Sequence, residues 1–112
     1  MAVETFDTIV IGAGQAGPSM AAKLATEGRK VALVESGELG GTCVNRGCTP
    51  TKTLRKSARV AHLARRAAEF GVEVGPVHIN FEAAMQRMQT RVDESRAGLA
   101  SWLVLRPINK ET

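Results

Sequence analysis

The sequence predicts an α/β fold: a strand–helix–strand unit with a parallel sheet, followed by a long helical hairpin. Three observations carry that expectation. Residues Thr5 to Ile11 alternate and then become continuously apolar, as a strand buried in a parallel sheet does. They run directly into Gly12-Ala13-Gly14-Gln15-Ala16-Gly17, a GxGxxG spacing between a strand pattern and a helix pattern. From Thr51 onward, apolar positions recur at helical spacing almost to the end of the chain.

The glycine run reads as a dinucleotide-binding turn. Gly12 permits the tight turn, Gly14 lets the backbone approach a pyrophosphate, and Gly17 lets the helix pack closely on the strand. The free N–H groups and positive dipole of that helix N-terminus then face the phosphates. Pro18 falls in the first helical turn, where a missing N–H costs little. The helix continues through Met20, Ala21, Leu24 and Ala25 and is expected to stop at Gly28. A second strand follows from Lys30 to Glu35. Glu35 stands at the interval where an acid binds ribose hydroxyls, which favours a ribose without a 2′-phosphate. A βαβ unit with tight turns and no phosphate ligand would use the same glycines.

The two cysteines of the chain lie in Gly40-Gly41-Thr42-Cys43-Val44-Asn45-Arg46-Gly47-Cys48-Thr49-Pro50-Thr51-Lys52. We read this stretch as a dithiol/disulfide redox centre. Two buried thiols are the bland alternative, but flanking glycines and Asn45-Arg46 do not read as core. A lasting structural disulfide belongs to oxidising compartments, and no signal peptide is evident. Zinc needs about four ligands, and His62 and His78 lack ligand spacing. On a regular helix, side chains five apart diverge by about 140°, so a bridge between Cys43 and Cys48 requires an irregular turn. Gly47 and Pro50 can supply one. Thr49-Pro50 reads as N-cap and first helical position. A helix N-terminus together with Arg46 and Lys52 favours the thiolate. A dinucleotide site and a redox dithiol so close in sequence are explained together better by FAD than by NAD.

From Thr51 to about Phe70 the pattern is helical. Leu54, Ala58 and Ala61 lie on one side, with Val60, Ala64, Ala67 and Ala68 on the next. Gly71 to Pro76 reads as a short extended or turn segment. Asn80 is placed to cap a long helix with one apolar seam through Phe81, Met85, Met88, Val92, Ser95, Leu99 and Trp102. That seam is core packing rather than a cofactor box. The two helices should form an antiparallel hairpin. Residues 1–104 are expected to form the domain and residues 105–112 a disordered tail after Pro107.

The net charge of +4 is modest. Arg46, Lys52, Arg55, Lys56, Arg59, Arg65 and Arg66 have no acid among them, yet aromatics make up only 4% of the chain, too few for base stacking, and no nucleic-acid motif is present. A solvated helix face is expected, with no nucleic-acid partner. No apolar run reaches membrane-spanning length, and the acidic N-terminus lacks a signal layout. A cytoplasmic protein without a membrane partner or a metal site is expected.

The segment from Gly40 to Lys52 resembles the active-site segment of the FAD-dependent pyridine nucleotide-disulfide oxidoreductases, the family of dihydrolipoamide dehydrogenase, glutathione reductase and mercuric reductase. Its Thr-Pro-Thr-Lys ending is most similar to mercuric-reductase-like members. The resemblance covers about the first hundred residues and implies the N-terminal part of a Rossmann-like FAD-binding domain, incomplete. It implies that Gly12, Gly14 and Gly17 contact the FAD diphosphate, that Glu35 binds the adenosine ribose, and that Gly41 and Thr42 line the approach to the phosphate and flavin. It further implies that Cys43 is the interchange thiol, that Cys48 is the thiol beside the flavin, and that Lys52 tunes the flavin edge. Arg46 occupies a variable position and receives no role. The substrate would be a small-molecule disulfide, a dithiol or a metal ion. NAD(P)H and a homodimer are expected only for the full-length protein, because no second Gly-rich site and no dimerisation domain follow. The chain alone is then expected to expose apolar surface. The alternative is a truncated dinucleotide-binding module without activity of its own.

Overall fold

The computed structural model describes residues 2–111. In chain order it contains β1 (Thr8–Ile11), α1 (Gly17–Thr26), β2 (Val31–Val34), α2 (Gly41–Arg46), α3 (Cys48–Arg65), a 3-10 turn (Ala67–Phe70), α4 (Phe81–Val104) and β3 (Ile108–Glu111). The strands form one parallel sheet in the order β1-β2-β3. The expected α/β architecture, a βαβ unit followed by a helical hairpin, is what the chain forms.

The register explains the core. Thr8 pairs with Val31 and Val10 with Leu33, while Val31 also pairs with Ile108. Alternate residues therefore share a face. On that face Val31, Leu33 and Ile108 are buried with Ala21, Ala22 and Ala25 of α1 and with Leu103 near the end of α4. Alanines at this contact let α1 lie close on the strands. On the opposite face Ala32 of the central strand is buried, but on β1 Ile9 is 59% and Ile11 85% exposed. The expectation of exposed apolar surface holds there.

Three expectations need correction. The tail assigned to residues 105–112 is not disordered over its described part, because residues 108–111 extend the sheet as β3 and bury Ile108. The folded unit thus runs past residue 104 and the sheet has a third strand; Thr112 lies outside the described residues. Thr49 is not an N-cap, since α3 already begins at Cys48 with Gly47 at the cap position. Pro50 still falls within the first turn, where its missing N–H has no helical partner to lose. Finally, Phe81 is 70% exposed at the start of the α4 seam. The hairpin tip is solvated, so the seam acts only from Met85 onward.

α3 and α4 are antiparallel, as expected. The Arg87 guanidinium donates to the Thr53 carbonyl at 3.1 Å, and farther along α4 Arg96 reaches back to Asn45. Asn80 caps α4, its Oδ1 accepting from the Ala83 N–H at 2.9 Å.

Candidate active site

The glycine turn sits at the end of β1. Gly12 has φ +106° and donates its N–H to the Val34 carbonyl at 2.7 Å. A Cβ at Gly17 would overlap the Gly12 carbonyl oxygen, so only glycine lets α1 start there. The α1 N-terminus has no side-chain cap and no acid in its first turn. Its N–H groups and dipole therefore remain available to an anion.

Glu35 is bound into this turn. Its Oε2 accepts from the Ala13 N–H at 2.7 Å and its Oε1 from the Gly37 N–H at 3.0 Å. These bonds, the Ala13 one first, hold its carboxyl below the ordinary carboxylate value. Each oxygen keeps a lone pair for a further donor such as a ribose hydroxyl. Because the folded value is depressed, the contribution of the charged group is present above the ordinary carboxylate range and is lost as pH falls through the depressed value. Glu35→Gln is expected to weaken FAD binding about tenfold at neutral pH. Flavin fluorescence titrations at falling pH should show weakening in the parent chain and a flat profile in the variant.

The redox segment lies directly against the turn. The Gly40 N–H donates to the Ala13 carbonyl at 2.8 Å. Gly41, at φ +65°, comes so close that an added Cβ would sit 2.7 Å from the Gly14 Cα. The bare backbones of Gly14 and Gly41 thus pack directly on each other, which seats the start of the redox segment on the glycine turn. Gly12, Gly14, Gly17, Glu35 and Gly41 are brought into one body, with Thr42 exposed next to Gly41.

The helical path breaks at Gly47, whose φ is −121° and ψ −106°. α2 ends before it and α3 begins after it. That break brings Cys43 and Cys48 together as a disulfide with Cα atoms 4.8 Å apart, within the usual disulfide range. Cys43 is half-buried and Cys48 exposed, so neither is a core thiol. Cys48 stands at the N-terminus of an 18-residue helix with no acid in its first turn, where the dipole favours a thiolate on reduction. Lys52 is four residues on, on the same helix face, and exposed.

Two residues of this neighbourhood carry no role in the sequence reading. Asn45 donates through Nδ2 to the Gly41 carbonyl at 2.8 Å and the Leu39 carbonyl at 3.1 Å, and its Oδ1 accepts from Arg96 Nε. Arg96 comes from α4, and nothing local in sequence links it to Asn45. With Glu38, Thr42 and Arg46 they line a cavity of about 230 Å³. A second, of about 240 Å³, lies between Gln15, Ser19, Val44, Leu99 and Trp102.

A glycine-rich turn of the dinucleotide-binding type thus lies against an internal disulfide on a parallel βαβ scaffold. The family model described as pyridine nucleotide-disulphide oxidoreductase matches residues 6–101. The chain belongs to that family, whose members use FAD and a pyridine nucleotide. Dihydrolipoyl dehydrogenase of Bacillus subtilis is 46% identical over 99 residues, covering 88% of this chain and 21% of the relative. Dihydrolipoyl dehydrogenase of Chlamydia muridarum is 45% identical over 96 residues, 86% of this chain and 21% of the relative. Mercuric reductase of Shigella flexneri is 41% identical over 88 residues, 78% of this chain and 16% of the relative. The chain spans about a fifth of the length of these relatives. Among the described residues, no helix is long and apolar enough to cross a membrane.

Proposed function

We propose that this chain is the FAD-binding, disulfide-bearing segment of an oxidoreductase that moves electrons between NAD(P)H, FAD and a dithiol, disulfide or metal-ion substrate. The observation that carries this reading is the contact of Gly41 with Gly14, which joins the redox segment to the nucleotide turn. When bound, FAD supplies a two-electron carrier between nicotinamide and sulfur.

The roles of the chain's own residues follow. Gly12, Gly14, Gly17 and the α1 N-terminus hold the diphosphate. Glu35 accepts from the ribose hydroxyls through its remaining lone pairs. Gly41 and Thr42 line the path toward the sulfurs. Cys48 and Lys52 stand on the cofactor side, and Cys43 serves the substrate. In the reduced chain, the Cys43 thiolate attacks a substrate disulfide, forming one S–S bond as the substrate's breaks and a thiolate leaves. The Cys48 thiolate then displaces the second substrate sulfur and closes the Cys43–Cys48 bond. A dihydrolipoyl substrate runs the same steps in reverse, and a divalent metal ion bound by both thiolates would take up two electrons as they close to the Cys43–Cys48 disulfide. The dihydrolipoyl dehydrogenase matches support a disulfide or dithiol, and Thr49 to Lys52 together with the mercuric reductase match support a metal ion. The complete protein is proposed to act as a cytoplasmic homodimer.

The test is the visible spectrum of the purified chain after adding FAD and removing the excess. A retained flavin band is expected, with a long-wavelength shoulder on reduction. Loss of all flavin would overturn binding by this chain alone. The exposed sheet face at Ile9 and Ile11 favours a second reading, a dinucleotide-binding module inactive by itself. Retained flavin without NAD(P)H oxidation would select it.

A further inference from the structure

In the closed disulfide, a covalent bond holds Cys43 opposite Cys48. After reduction that bond is gone, and the start of α2 stays tied to the glycine turn through Gly40 and Gly41 while the Cys43 end depends on other contacts. The helix is six residues long and buries none of them, far below the length at which a helix persists unaided. Gly40 and Gly47 flank it, so its two ends resist bending little.

Beyond the start of α2, the side chain that ties it down is Asn45, two residues after Cys43. Its amide is fully engaged: Nδ2 donates to the carbonyls of Leu39 and Gly41, and Oδ1 accepts from Arg96 Nε across 51 positions of sequence. The Arg96 side chain is only 29% exposed. Its guanidinium is itself steadied by Asp93, 3.5 Å from Nη1, and Glu38, 3.8 Å from Nε. A charge-assisted bond from a half-buried guanidinium is among the stronger side-chain hydrogen bonds.

We propose that Arg96 is a positioning residue for the dithiol, acting through Asn45. The tie holds α2 against α4 when the disulfide is open and keeps Cys43 within reach of Cys48. This inference rests on the dithiol reading above. Its energetic content is an effective concentration: a tethered thiol held near its partner closes a disulfide more favourably than one free to swing away.

The experiment equilibrates the chain with mixtures of reduced and oxidised glutathione. Two glutathione thiols are oxidised to one glutathione disulfide while the Cys43–Cys48 disulfide gains two electrons and two protons. Alkylation trapping and mass measurement give the fraction of dithiol. Arg96→Ala and Asn45→Ala are each expected to shift the equilibrium toward dithiol about tenfold, the scale of one lost charge-assisted hydrogen bond. The double variant should go no further than Asn45→Ala alone, since Arg96 acts only through the Asn45 amide that this change removes. Arg96→Lys, which keeps the charge and one donor, should recover part of the shift. Arg91→Ala, which removes the exposed Arg91–Glu94 pair on the same helix, should leave the equilibrium unchanged.

A redox equilibrium unchanged in Arg96→Ala, with only thermal stability reduced, would show a merely structural residue and overturn the proposal. Additive effects of Arg96→Ala and Asn45→Ala would overturn it as well. Failure of the parent chain to equilibrate as a two-thiol couple would bring down the dithiol reading, and this inference with it.

Discussion

Purified without reductant, the chain is expected to show no titratable thiol, and after dithiothreitol it should show two. Closure of a disulfide across five positions is the basis. In the chain-entropy model such a short loop stabilises the fold by about 2 kcal/mol, so the Cys43→Ser, Cys48→Ser double variant should unfold at lower denaturant by that amount. The chemical effect is larger. Either single change removes the two-electron couple outright, because the second thiol has nothing to close against. Sulfur exchange with a small disulfide should then stop at the mixed disulfide in either single variant, with no second thiol to release it. Two free thiols in the unreduced protein that resist mild oxidation would sink the redox reading.

Gly41→Ala is expected to have the second largest effect. Two penalties add there. The backbone is at φ +65°, where a side chain costs about 1 kcal/mol or more. The new methyl would also lie 2.7 Å from the Gly14 Cα, and such overpacking costs about 1–3 kcal/mol. Together they should lower the melting temperature by roughly 10 °C or more and abolish flavin retention, because the turn and the redox segment must separate. Gly28→Ala is the control: its φ is +87°, but a Cβ there meets nothing within 4 Å. It should lose only the backbone part and keep any flavin. Equal behaviour of the two variants would mean that the Gly14–Gly41 contact is not what holds the site together.

The parts of this structure legible in sequence are those written locally. Gly12 to Gly17 between a strand and a helix needs no distant partner to be recognised, and neither does the Cys43–Cys48 spacing around Gly47. Asn80 announces the start of α4 in the same way. What escaped reading depends on distant partners. β3 carries one apolar anchor, Ile108, among Asn109, Lys110 and Glu111, and becomes a strand only because β2 offers a free edge. Leu103 falls outside the α4 seam because it packs on the sheet, not on α3. The Arg96–Asn45 tie spans 51 positions and leaves no local pattern. Most of α3 remains solvated, and Thr53 is the residue of that helix that is buried.

The way β3 returns to β2 has a consequence for how the chain can vary. Everything between Val34 and Ile108 is one excursion that leaves the sheet and comes back to the adjacent edge of the same strand. The entropic cost of closing such an excursion rises only with the logarithm of its length. Its two ends are therefore unequal in what they tolerate. The root, where Gly40 bonds to Ala13 and the cysteines meet, is fixed by contact with the sheet. The tip, between Phe70 and Phe81, is exposed and irregular along nearly its whole length. Chemistry sits at the hinge of this arm and freedom at its far end, so the arm can be lengthened, shortened or decorated at the tip while the sulfur centre stays where it is.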